Sequence, residues 1–207
     1  MNLNEHYLHD EQEILRKSTE LVSKYHLGKA MEKFYSKADA HNHAHSRESD
    51  LLILIDTSAL LEMPCSKIFI HNIAPALMKR GEKLVVPMSV MCELKNLAEH
   101  SSSSDVKQRA KDMFAFVLDY WRQGVINIYD NEAGGIFADE LLQILTITFA
   151  RLYRVIVISQ DYFLGQDLLT ISRLPSVKGR SIAVRKLDSN GELVKVEWNG
   201  ASYLQQK

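Results

Sequence analysis

The stretch LLILIDTSAL, Leu51 to Leu60, decides how the chain is read. Leu51 to Ile55 is an unbroken apolar run of strand length, and such runs suit strands covered on both faces, as in a parallel sheet. The run breaks into Asp56, Thr57 and Ser58. In parallel α/β sheets ligands bind just beyond the carboxyl ends of the strands, which makes Asp56 the first candidate for chemistry. An Asp after a strand is also an ordinary helix cap or turn residue, so Asp56 gains functional meaning only in company.

Outward from this strand the periodicity alternates between strand and helix. Helical spacing covers Ile68 to Arg80, strand KLVVP (83–87) follows, and a helix runs from Ser89 to His100. After the serine run 101–104, Asp105 is the expected cap of a helix. Its Val106, Ala110, Met113, Phe114, Val117, Tyr120 and Trp121 recur at helical spacing and are assigned to the core. VINIYD (125–130), a helix over about Phe137 to Tyr153, VIVIS (155–159) and a short helix near Leu164 to Ser172 complete the series. Repeated β-α alternation predicts a parallel sheet with helices on both faces.

The two ends depart from that rhythm. Asn4 to Leu27 carries an apolar stripe and predicts an amphipathic helix, with a shorter one at Ala30 to Tyr35, followed by the polar connector AHNHAHSRESD. Near the other end, two alternating runs flank Ser189, Asn190 and Gly191, and Asn-Gly is a strong hairpin signal. The expected organisation is an N-terminal helical extension and linker (1–46), an α/β domain (47–186), and a C-terminal hairpin and tail (187–207). The N-terminal stripe is expected to pack on the domain or to join a protein partner or a second subunit.

Composition bounds the class. With 46% hydrophobic and 25% charged residues the chain can build a core, which excludes disordered and collagen-like classes. The start MNLNEHYLHDEQE lacks the zones of a signal peptide, and no apolar run approaches bilayer length, so a cytoplasmic protein that does not engage membrane is expected. Cys65 and Cys92 lie in apolar stretches without zinc spacing and read as small buried side chains. A formal net charge of −1 lacks the strong basic balance of many nucleic-acid binders, although binding follows the local field rather than the total.

Further acids fall at matching points. Gln160-Asp161 follows the strand VIVIS, Glu93 sits about one and a half turns into the helix after KLVVP, and Asp139 opens the helix before VIVIS, with Glu140 beside it. Glu93 flanks the apolar face marked by Val90, Leu94 and Leu97, where a carboxylate needs a partner or a metal. Carboxylates converging on one sheet edge repel each other unless a cation compensates them. Hard divalent ions with oxygen ligands, Mg²⁺ or Mn²⁺, suit that role.

Four stretches together, ILIDTSAL (53–60), VPMSVMCEL (86–94), FADELLQI (137–144) and VIVISQDYF (155–163), resemble a PIN domain. The resemblance covers about Leu51 to Val184. It implies a three-layer PIN-like fold and Mg²⁺- or Mn²⁺-dependent hydrolysis of phosphodiester bonds, most often in RNA, by an RNA processor or the toxic half of a toxin-antitoxin pair. It implies metal-ligand roles for Asp56, Glu93, Asp139 and Asp161, with Thr57 and Ser58 orienting a carboxylate or contacting phosphate. Ser159 stands where the family usually has Thr and keeps the hydroxyl. Glu140 leaves the third ligand open between itself and Asp139, and Asp167 is an accessory acid or a solvated helix position.

Among the bases, Lys95, Lys178 and Arg180 are the candidates for substrate phosphate. His41, His43 and His45 alternate but lack companions at zinc spacing and fit a linker. Against the nuclease stands a PIN-like RNA-binding or scaffold module that cuts nothing. A phosphatase with an aspartyl nucleophile is disfavoured, because Asp56-Thr57-Ser58 lacks the second acid of that motif.

Overall fold

A computed structural model describes residues 51–129, 138–150, 153–173 and 182–197. The predicted N-terminal helices, the linker histidines, Lys178, Arg180 and the end of the tail lie outside the described residues. The chain order is β1 (Leu51–Ile55), α1 (Thr57–Leu61), α2 (Cys65–Arg80), β2 (Leu84–Pro87), α3 (Met88–His100) and α4 (Ser104–Arg122). Then follow β3 (Ile126–Tyr129), α5 (Ala138–Phe149), β4 (Arg154–Ile158), α6 (Tyr162–Ile171), β5 (Ile182–Leu187) and β6 (Leu193–Lys195).

All six strands form one sheet in the order β3-β2-β1-β4-β5-β6, parallel except for β6. The apolar run that opened the reading is the reason β1 can sit in the middle. Its alternate residues serve two cores: Ile53 and Ile55 pack with apolar residues of α1 to α4, and Leu52 and Leu54 with those of α5 and α6. Helices therefore cover both faces. Full burial of each such side chain stabilises the fold by about 1.5–3 kcal/mol, which is why a polar residue inside this run would be costly.

The strand order carries the functional consequence. From β1 the chain moves outward through β2 and β3, then returns to the other side of β1 with β4 and β5. That reversal creates a crevice between the carboxyl ends of β1 and β4, the usual ligand position in open α/β sheets. Asp56 N–H donates to Ile158 O at 2.9 Å, so the pairing of the two strands continues to the residue that opens the crevice.

Several local expectations change. Ser103, not Asp105, caps α4, its Oγ accepting from Val106 N–H; Asp105 lies in the first turn, where it pairs with Arg109 and complements the helix dipole. Trp121 is 48% exposed rather than core, because the buried stripe of α4 is Ala110, Met113 and Val117 and ends a turn earlier. Cys65 is buried as expected, but Cys92 is exposed on α3.

The hairpin is present, and it is part of the main sheet. β5 runs parallel to β4 and antiparallel to β6. Its turn is organised by Asp188, whose Oδ1 accepts from Asn190 N–H and Glu192 N–H, and by Gly191 at φ 76°. A Cβ at Gly191 would stand 2.8 Å from Cys65 O, so the hairpin tip rests directly on the start of α2.

Candidate active site

At the end of β1 the backbone turns at once into α1, and Asp56 is the residue that makes the turn. Its carboxylate caps the helix, Oδ1 accepting from Thr57 N–H at 2.6 Å and Oδ2 from Ser58 N–H at 3.3 Å. Ser58 Oγ and Ser159 Oγ also donate to Oδ2, at 2.5 and 2.9 Å. Asp56 is only 3% exposed, and four donors satisfy it as a buried anion requires.

Those two serines tie the ends of β1 and β4 together. Each hydroxyl has one proton, and in this arrangement both protons go to Asp56. The oxygens then act as acceptors for the loop after β4: Ser58 Oγ receives Gln160 N–H at 2.9 Å and Asp161 N–H at 3.2 Å, and Ser159 Oγ receives Asp161 N–H at 3.0 Å. Asp161 is thereby held by its backbone. Its Oδ1 caps α6 through Phe163 N–H and Leu164 N–H at 2.7 and 3.0 Å, and Oδ2 accepts no hydrogen bond among the described residues.

Glu93 arrives from another direction. β2 lies beside β1, and α3 starts directly at its end, which brings the second turn of that helix to the same edge. Thr57 Oγ1 donates to Glu93 Oε2 at 2.6 Å, the partner that a carboxylate flanking an apolar face needs. Thr57 and Ser58 thus orient carboxylates, and their N–H groups are engaged by Asp56.

Asp139 lies in the first turn of α5 with Glu140 exposed beside it. Although Asp139 keeps contact with solvent, its carboxyl is pushed up from the ordinary 3.8 to about 6. Burial is the largest cause, and the negative charges of Asp56, Asp161, Glu93 and Asp167 add to it. The acids from β1, α3, α5 and α6 therefore share one electrostatic neighbourhood. Asp167 is buried within α6, not solvated, because its position falls on the same face as Leu164, Leu168 and Ile171.

Hard oxygen donors in mutual repulsion suit a divalent cation. Among the described residues, no three acidic, histidine or cysteine side chains yet stand close enough to ligate one ion together. Lys95 is exposed on the same helix as Glu93. Two aromatic side chains that periodicity alone passes over, Tyr162 and Phe163, stand exposed directly after Asp161. Their signal in the sequence is large apolar residues placed next to a candidate site acid.

Neither protein-family models nor characterised proteins yield a match to this chain.

Proposed function

We propose that this protein is a PIN-like metal-dependent endoribonuclease whose ligands are Asp56, Asp161, Glu93 and Asp139. The observation that supports it best is the convergence of acids from separate elements on the crevice between β1 and β4, where four other carboxylates act on Asp139. A structural network has no need of that many like charges, whereas a cation site does. Asp139, rather than Glu140, is assigned as the third ligand on the same ground.

Mg²⁺ or Mn²⁺ bound there would supply charge neutralisation at the scissile phosphate and activation of a water at neutral pH. The protein's own part is preorganisation. Ser58 and Ser159 fix Asp56, Thr57 fixes Glu93, and the capping bonds of Asp161 hold its carboxyl group while leaving Oδ2 available. Groups that orient ligands in this way commonly matter almost as much as the ligands themselves.

The test is incubation of the purified protein with single-stranded and structured RNA in Mg²⁺, Mn²⁺ or EDTA, alongside Asp56→Asn and Asp161→Asn. Cleavage is expected only with metal, and each variant should lose at least about a hundredfold in rate. Metal-independent cleavage, or activity kept by both variants, would sink the assignment. The second reading, a silent RNA-binding or scaffold module, draws on one observation: the hydrogen bonds of Asp56 are complete without a cation. Absence of cleavage of any RNA or DNA would favour it.

A further inference from the structure

The nuclease reading leaves open how the substrate stays beside a cluster of negative charge that repels its phosphates. Tyr162 and Phe163 open α6 immediately after Asp161 and are 38% and 45% exposed. The apolar face of α6 is complete without them, since Leu164, Leu168 and Ile171 are its buried apolar residues. The two rings meet edge to face, with centroids 5.3 Å apart and planes at 81°. Lys186 of β5 sets its Nζ 5.9 Å from the Tyr162 ring centroid. It is placed there by strand register, because Arg185 pairs with Ile158 and the next residue comes level with the end of β4.

We infer that Tyr162, Phe163 and Lys186 form a platform for single-stranded RNA, with unpaired bases stacked on the rings and a phosphate on the lysine. Stacking does not depend on the charge of the backbone, so it can hold a polyanion next to acids that would otherwise reject it. The perpendicular rings cannot serve one base together and instead offer surfaces to separate bases. The lysine supplies the positive charge that the net balance of the chain lacks. A duplex keeps its bases stacked internally and would gain little here. The inference rests on the proposed nuclease site only for the identity of the polymer.

The experiment is fluorescence anisotropy of end-labelled oligouridine in EDTA, which excludes metal-dependent turnover, compared with a duplex of equal length. Tyr162→Ala and Phe163→Ala should each weaken single-strand binding on the order of tenfold. Phe163→Met, which keeps bulk without a ring, should fail equally; Tyr162→Phe should bind within about twofold of wild type. Lys186→Gln should flatten the salt dependence. The platform is overturned if the wild type does not bind, if it binds duplex equally well, if both alanine variants bind normally, or if Phe163→Met restores affinity. The two readings fail separately: binding as described with no metal-dependent cleavage refutes the nuclease alone, and cleavage indifferent to both alanine variants refutes the platform alone. Thermal melts of each variant identify any loss of binding that comes from unfolding, and Tyr162→Phe keeps the comparison on a folded chain.

Discussion

Thr57 Oγ1 donates to Glu93 Oε2 at 2.6 Å, joining the first residue of α1 to a carboxylate on α3 that is 36 positions away in sequence. The hydroxyl has a single proton and gives it to the acid, so Glu93 is held in one orientation at the crevice. Thr57→Val keeps the shape and removes the donor. Metal affinity, followed by calorimetric titration with Mn²⁺, should fall about 10- to 100-fold, with Thr57→Ser restoring most of it. Unchanged affinity in the valine variant would show that Glu93 is no ligand.

Ser159 is fully buried and serves Asp56 Oδ2 and Asp161 N–H at once. Ser159→Ala leaves a buried carboxylate one donor short and should destabilise the fold by about 1–3 kcal/mol in urea unfolding. The loss should be larger than for exposed serines such as Ser102. Equal stability of Ser159→Ala and wild type would mean that the β1–β4 tie is made by the strands alone.

The proton affinity of Asp139 has a consequence for stability that runs opposite to its role in metal binding. Its carboxyl titrates near 6 in the folded chain against an ordinary 3.8, so the native state holds the extra proton between those values. Without metal, stability should therefore fall as pH rises from about 4 to about 6, and the full cost should persist above that. Asp139→Asn removes the charge. In EDTA its melting temperature should exceed that of wild type at pH 7.5 by more than at pH 4.5, and added Mn²⁺ should stabilise wild type but not the variant. A pH-independent difference would refute the shift.

Gly191 joins the C-terminal hairpin to the body of the domain. Its φ of 76° and the 2.8 Å approach of a Cβ to Cys65 O leave no room for a side chain. Gly191→Ala should destabilise the protein by about 1–2 kcal/mol from backbone conformation alone, with the contact adding to it. Hydrogen exchange should show the loss first at β6. Wild-type stability in this variant would mean that the hairpin tip does not rest on α2.

Much of the site could be read from local chemistry. The apolar run Leu51–Ile55 specified a strand buried on both faces, and the polar residues that follow it and VIVIS marked strand ends, because side-chain periodicity is a property of neighbouring residues. Errors arose where a local pattern competes with a local alternative. Ser103 and Asp105 can each cap a helix, and Trp121 continues a stripe whose burial ends with Val117.

The sequence by itself determined the order of strands and helices and which acids stand at their ends. Only the tertiary structure decided that β4 returns beside β1, that Ser159 reaches Asp56 across 103 positions, that Thr57 meets Glu93, and that the hairpin strand β5 extends the parallel sheet. Strand order depends on which buried faces pair across the whole core, and a hydroxyl cannot announce in sequence which distant carboxylate it will meet. The meaning of Asp56 accordingly comes from a crevice created by the reversal of strand order between β1 and β4.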